Sequence, residues 1–563
     1  MCGIALLVAG LSKEDPRGGK DFNEVLDHIK ENLWRRGPDC NWWDVIEKGE
    51  HYLLFANSLL QLQGYEDRSP YLRDADTGSI LLWNGEVYSG LHHTVEENDG
   101  VVLFQSLISC RNSEDIVSTF SRIRGPWSVI YYDGVTNVVW FGRDFMGRKS
   151  LLFQQSENHG LVITSTASKR DSEAEFIEVP PGLYRLDVDT LLQWCHEPGW
   201  FPEKIPWADQ TITRLSEYHR TKSYFSGKVN DENDLIDALL AILKNAVHQR
   251  CARLVHNSDQ KMMTSVHEPS KLMILFSGGV DSTLLAAMMH ATVPQEEPIE
   301  LFSVCFAQGG SPDRIGAMDA YKELKTIYPD REWRLIAVDK TYDELNTLRD
   351  HLLDILYPSD TVMDFNIGGG LWLASQGKGS WVECSTLDPN VSDFEVIDSN
   401  YASSARAVFL GHGADELFGG YGRHRTKFRE GGWDGLSDEL RLDVRRLWQR
   451  NFGRDDRIIS DHGKESRIPF VDEHVIEFAL DAHLQDLVDL NLPIGVGDKI
   501  ILRRCLNRLG LERTSKRHKR ALQFGSRLAK AANAACFGST QMANKRKAGE
   551  KKIEPILRNQ NNL

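Results

Sequence analysis

The apolar positions along the chain change rhythm part-way. From the start to about residue 190, short runs rich in β-branched and aromatic residues recur: IALLVAG, HYLLFANSLLQLQ, SILLWNGEVY, WSVIYYD, VVWFGRD, SLLF and LVITST. Turn residues break each run, so the pattern predicts strands. Between them, DFNEVLDHIKENLWRR and VVLFQSLISC carry apolar residues at helical spacing. Together these predict an α+β domain with stacked antiparallel sheets, its end punctuated by Pro180, Pro181 and Gly182. A polar bridge follows, then DENDLIDALLAILKNAVHQRCARL as a helix and HNSDQKMMTSVHEPSK as an exposed loop. From Lys271 the grammar differs. KLMILF, ELFSVCF, WRLIAVD and AVFLGHG are near-continuous apolar runs separated by helical segments, which predicts a mainly parallel sheet covered on both faces. The polar stretch 380–405 reads as a surface loop. The division expected is 2–190, a linker and helix over 191–270, an α/β domain over 271–535, and a basic tail over 536–563.

Composition narrows the class. The 563 residues are 41% hydrophobic and 26% charged, as in globular proteins with more than one core. A net charge of −15 argues against a general nucleic-acid binder, and the basic tail reads as a solvated end. No window has the apolar length of a membrane span, and the first residues lack the basic region of a secretory signal. Nine cysteines without a CxxC pair predict reduced thiols in the cytosol rather than disulfides or a zinc site.

Three stretches carry chemistry. In LMILF-SGGVDS-TLLAAMMH a strand meets a helix through a glycine turn. Gly278 and Gly279 let the backbone approach an anion, with the turn amides and the helix N-terminus facing it. Ser277 and Ser282 add hydroxyls, and Asp281 can hold Mg²⁺ beside phosphate. The GK[ST] of a Walker loop is missing; SGGxDS in this setting resembles the pyrophosphate-binding loop of ATP pyrophosphatases. AVFLGHGADELFGGY repeats the strand–turn–helix logic, with Gly411, His412 and Gly413 in the turn and Asp415 as a second magnesium ligand. Lys499, in GVGDKIILR, can place a cation on transferring phosphates. At the other end, MCGIALLVAG starts a strand on Cys2. A buried structural cysteine fits that position. Removal of Met1 would instead give Cys2 a thiol nucleophile and an α-amine base in one residue.

Cys2, RRGPD (35–39), WNGEVY (83–88), GRDFMG (142–147), SGGVDS, GADELFGGY and SRIPFVD (466–472) occur in that order. The whole chain resembles the glutamine-dependent asparagine synthetases. Through GPWSVIYY, GRDDRIISDHGKESRIPF, KRALQFGSR and ENDG (97–100) it is more similar still to the asparagine synthetase domain-containing proteins, taken as an animal branch. The resemblance implies an N-terminal-nucleophile amidotransferase domain followed by an ATP pyrophosphatase-type synthetase domain. It implies that Cys2 attacks glutamine, Asn84 and Gly85 stabilise the oxyanion, Glu86 and Asp99 hold the substrate's α-amino group, and Arg36 packs near Cys2. Ammonia would then pass inside the protein to aspartate adenylated by MgATP, yielding asparagine, glutamate, AMP and pyrophosphate. Some positions depart from the family. Ser58 stands where the family has an arginine that clamps the glutamine carboxylate, with Arg68 or Arg73 as replacements to test. DTVMDFNIGGG, with Asn366, lacks a threonine pair and an arginine, and His412 replaces a glutamate. Three readings therefore stand: an asparagine synthetase, an amide ligase for another acid, and a degenerate scaffold.

Overall fold

A computed structural model describes residues 2–9, 19–49, 51–64, 72–94, 96–156, 160–168, 175–191, 199–220, 232–252, 254, 268–307, 310–388, 391, 393–537 and 552–553. The first half holds the strands β1 (Cys2–Ala9), β2 (Cys40–Lys48), β3 (His51–Leu59), β4 (Leu72–Arg73), β5 (Ile80–Gly85), β6 (Trp127–Asp133), β7 (Val138–Arg143), β8 (Leu152–Ser156), β9 (Gly160–Thr164), β10 (Ile177–Glu178), β11 (Gly182–Asp187) and β12 (Lys204–Ile205). They form two antiparallel sheets, ordered β10-β8-β9-β1-β3-β2 and β12-β11-β7-β6-β5-β4. Ile4, Leu6 and Val8 of β1 meet Ile80, Leu82 and Ile130 of the opposite sheet. The alternate residues Ala5 and Leu7 pack on Ile29 and Leu33 of the helix Gly19–Arg36. On the far side, Leu81 and Trp83 pack on the helix Asp99–Ile108. Each sheet is thus buried on both faces, which is why β1 reads as one unbroken apolar run although its neighbours are antiparallel. These stacked antiparallel sheets with flanking helices are the α+β architecture expected of this half.

The apolar-run criterion overlooks β2, whose side chains alternate between half-buried and exposed at the sheet edge. It also overlooks the helix Ser113–Arg122, although Asn112 caps it by accepting from the Asp115 amide at 3.0 Å. The Pro180–Pro181–Gly182 turn leads into β11, and β12 pairs beyond it, so the antiparallel sheet continues to Ile205.

The second half is built on β13 (Leu272–Leu275), β14 (Ile299–Cys305), β15 (Trp333–Asp339), β16 (Lys378–Cys384), β17 (Phe394–Ala402), β18 (Ala407–Phe409) and β19 (Glu465–Arg467), ordered β17-β16-β15-β14-β13-β18-β19. Five of these strands are parallel. Residues 380–405 are not a loop: β16 and β17 form an antiparallel hairpin at the sheet edge. An outermost strand is free to be polar, which is why this stretch looked like loop. The helix Glu232–Cys251 packs Leu239, Leu243 and Val247 into the core of this half. The predicted loop after it and the basic tail lie largely outside the described residues; Ile553 donates to the Asp360 carbonyl at 2.8 Å. Among the described residues no helix is long and apolar enough to cross a membrane, and Cys40, Cys110, Cys251, Cys305, Cys384 and Cys505 are free thiols.

The chain leaves β13 toward β14 on one side and returns as β18 on the other. The gap between β13 and β18 is therefore the topological switch point, where the loops after parallel strands open a crevice.

Candidate active sites

SGGVDS follows β13 and GHGAD follows β18, so the switch point brings both glycine turns to one crevice. Gly278 has φ +67°, and a Cβ there would lie 2.1 Å from the Gly316 carbonyl oxygen. A Cβ on Gly411 would lie 2.9 Å from the Asp281 Cβ, so glycine at 411 is what lets the two turns close up. Lys499 stands between Asp281 Oδ2 and Asp415 Oδ1, with Nζ 2.6 Å from each. It sits just before the helix Ile500–Arg508 in a left-handed conformation, φ +53°, with its amide held by the Phe418 carbonyl at 3.1 Å. Such a backbone in a lysine is strained and fixes where the ammonium points. Burial favours neutral Lys499, but the two carboxylates override it and raise its pKa. Asp415 is held well below the carboxylate range: burial works against ionisation, and Lys499 and Lys519 prevail. Lys519, from KRALQFGSR, pairs with Asp415 and was not singled out from the sequence.

Two cavities open here. A cleft of about 290 Å³ runs between the SGGVDS loop and the cations Lys499, Arg503, Arg517, Lys519 and Arg520. A larger cavity of about 370 Å³ shares Ser277, Asp281, Lys519 and Arg520 with it and extends past His412. Ser282 and Gly411 line this larger cavity as well. Gly413 caps the short helix Ala414–Leu417 that carries Asp415.

In the first half, Cys2 begins β1 and pairs in register with Leu59 of β3. Asn84 and Gly85 end β5; the buried Asn84 amide donates to Ser128 Oγ at 3.3 Å. Asp99, buried at the start of its helix, accepts from the Val87 and Gly100 amides, each at 2.8 Å. Burial pushes the Asp99 carboxyl up and carries Glu86 up to about 7, against the pull of Arg467 on the latter. Arg36 is buried, but its guanidinium reaches the other half: Nη2 lies 2.7 Å from Asp456 Oδ2.

That contact is one link in a buried chain of charge between the halves. Glu86 pairs with Arg467 at 3.1 Å, Arg467 with Glu465 at 2.7 Å, Glu465 with Lys149 at 3.3 Å, and Lys149 with Asp456 at 3.8 Å. Glu465 and Arg467 alternate on β19, so both side chains leave the same face. The adjacent aspartates of the helix Gly453–Ser460 part company: Asp456 faces Arg36, while Asp455 lies 3.0 Å from His412 Nδ1 in the switch-point crevice. One helix turn thus touches both sites.

The asparagine synthase family model matches residues 218–357 and 429–536. Asparagine synthetase domain-containing protein 1 of Mus musculus is 31% identical over 94% of this chain and 97% of its own length; that of Homo sapiens is 31% identical over 94% and 95%. The chain belongs to the asparagine synthetase domain-containing family. A member from Saccharomyces cerevisiae, 26% identical over 90% of the chain and 89% of its own length, shows that the family is not confined to animals, as first taken. The glutamine-hydrolyzing asparagine synthetase 1 of Arabidopsis thaliana is more distant, 23% identical over 85% of the chain and 70% of its length.

The departures of this family member now have places. Ser58 is fully buried; its hydroxyl donates to the Leu33 carbonyl at 2.5 Å and accepts the Gly3 amide at 3.0 Å. It braces β3 against β1. Arg73 pairs with Asp44 of the edge strand at 2.6 Å, and Arg68 lies outside the described residues. Asn366 is buried on the helix Val362–Ser375, off the cavity walls, its Oδ1 without a hydrogen bond among the described residues. His412 lines the larger cavity with Asp455 behind it. Burial works to raise the Asp455 carboxyl, but Arg454 and His412 keep it low, so it stays ionised beside the imidazole.

Proposed function

We propose that this protein is a glutamine-hydrolysing, ATP-dependent amide ligase of asparagine synthetase type, with 2–190 as amidotransferase and 271–535 as synthetase. The observation that carries the reading is the convergence of Asp281, Asp415 and Lys499 on one point beside the SGGVDS loop. In the first half, Cys2, freed of Met1, attacks the carboxamide carbon of glutamine. Asn84 and Gly85 donate to the oxyanion, and Glu86 and Asp99 receive the substrate ammonium. Ammonia leaves, and water releases glutamate. In the second half, an acid's carboxylate oxygen attacks the α-phosphorus of ATP, the α–β bridge breaks, and pyrophosphate departs along the basic cleft. Ammonia then attacks the acyl carbon, AMP leaves, and the amine's surplus proton passes to a base. His412, backed by ionised Asp455, is positioned to receive it.

The site fits magnesium. Asp281 Oδ1 is buried without a hydrogen-bond partner among the described residues, and Asp415 lies across Lys499 from it. Two carboxylates completed by substrate phosphates are a usual Mg²⁺ donor set. Bound there, the ion would neutralise phosphate charge as pyrophosphate leaves.

The test is ATP–pyrophosphate exchange driven by a carboxylic acid. Asp281→Asn should cut it at least about a hundredfold, as for loss of a single transition-state contact. Unchanged exchange would remove Asp281 from the reaction. The resemblance to the asparagine synthetases implies aspartate as the acceptor; the residues lining the larger cavity favour another acid.

A further inference from the structure

The larger cavity has a wall that the phosphate cleft does not share. The long helix Gly422–Leu447 runs into a π-helical turn, Trp448–Phe452. Such turns break the helical hydrogen-bond ladder and recur at functional sites. From this junction Arg446, Arg450 and Asn451 line the larger cavity and not the cleft. Arg446 and Arg450 are four residues apart and exposed to that space. Neither guanidinium makes a hydrogen bond or ion pair among the described residues.

The other charges on this side are already matched. Arg454 is held by Asp364 and Asp455, each at 2.9 Å. Asp443 is taken by Arg423 at 2.7 Å and His424 at 2.8 Å. Glu416 accepts the Tyr421 hydroxyl at 2.6 Å, and burial raises its pKa. So, among the described residues, the part of the wall that the cleft does not share offers two unpaired guanidiniums and no unpaired carboxylate; Asp313, whose carboxyl burial pushes up to about 7, lies on the side shared with the cleft. An α-amino acid such as aspartate brings an ammonium that needs a carboxylate. A polyanion needs what is there.

We propose that Arg446 and Arg450 recognise the acceptor, and that the acceptor is a polyanionic acid with two anionic groups besides the carboxylate that is activated, of the tricarboxylic class. The inference rests on the reading that this cavity adenylates an acid. Each guanidinium makes charge-assisted bonds to a carboxylate, so losing one should weaken binding roughly 10- to 100-fold.

The probe is propane-1,2,3-tricarboxylate, titrated calorimetrically into the full-length protein with α,β-methylene-ATP and Mg²⁺ present. It should bind at least about tenfold more tightly than aspartate. Arg446→Ala and Arg450→Ala should each weaken it by about tenfold or more, Arg446→Lys by less, with α,β-methylene-ATP binding unchanged. Three results would overturn the proposal: tricarboxylate no tighter than aspartate, arginine variants that bind it normally, or variants that lose the nucleotide equally, which would make these arginines phosphate ligands. ATP–pyrophosphate exchange separates the two levels. Exchange driven by aspartate and untouched by either variant keeps the ligase and defeats the acceptor assignment. Arginine-dependent tricarboxylate binding with no exchange for any acid keeps the recognition and defeats the ligase.

Discussion

Glutamine affinity should rise with pH across neutrality, because of Glu86. Its carboxyl is buried at the end of β5, and burial carries its pKa up to about 7; Glu465 and Asp99 push the same way, and Arg467 at 3.1 Å pulls it back. A group of that pKa is roughly one-tenth ionised at pH 6 and nine-tenths at pH 8. Only the ionised form attracts the substrate's ammonium, so apparent affinity should improve about tenfold over those two units. An ordinary glutamate, titrating near 4.3, would give a flat line there. The assay is calorimetric binding of glutamine to the Cys2→Ala variant, which cannot turn substrate over. Glu86→Gln should abolish the slope and weaken binding at pH 8 by about tenfold. The same shift has a cost in stability. The folded chain keeps a proton that the unfolded chain gives up above about pH 4.5, so this group's contribution worsens as pH climbs toward 7. Flat binding from pH 6 to 8, or a slope that survives in Glu86→Gln, would refute the assignment.

Asp456→Asn should destabilise the protein by about 3–5 kcal/mol in denaturant unfolding, because it strands the buried Arg36 and leaves Lys149 with one fewer partner. Burial opposes ionisation of Asp456, but Arg36 and Lys149 hold its pKa below 3.8, so its stabilisation is present above that value and fades as pH falls through the lowered one. The gap between wild type and variant should therefore narrow in acid, and equal stability at pH 7 would contradict the buried chain. His412→Ala should slow amide formation while sparing pyrophosphate exchange, and Asp455→Asn should do the same more weakly; a His412→Ala variant with normal amide formation would leave the imidazole as a spacer.

What could be read from the sequence was what is local. SGGVDS and GHGAD are glycine turns written in a few consecutive residues, and β1 or β14, buried on both faces, show as plain apolar runs. Edge elements were harder: β2 alternates and β17 is largely exposed, so neither stands out from turn or loop. Asp281 and Asp415 each carried a motif signal, whereas Lys499 taken alone reads as a solvated surface lysine, and the meeting of the three depends on the strand order at the switch point. The charge chain was hidden for a different reason. Arg467, Glu465, Lys149 and Asp456 look like surface charge in a linear reading, and only the contact between halves buries them. One trace was present, the Glu-x-Arg alternation on β19 next to the apolar IPFV.

In the proposed function, nitrogen taken from glutamine in one half is joined to an acid activated by ATP in the other. The direct measurement supplies amide-¹⁵N glutamine, MgATP and a mixture of polycarboxylic acids, aspartate included, and follows ¹⁵N into a new carboxamide by mass spectrometry. One AMP and one pyrophosphate should form per labelled amide, label transfer should be lost in Cys2→Ala, and it should return when ¹⁵N-ammonium replaces glutamine. Glutamate release without AMP, or label that never enters an amide with either nitrogen source, would contradict it.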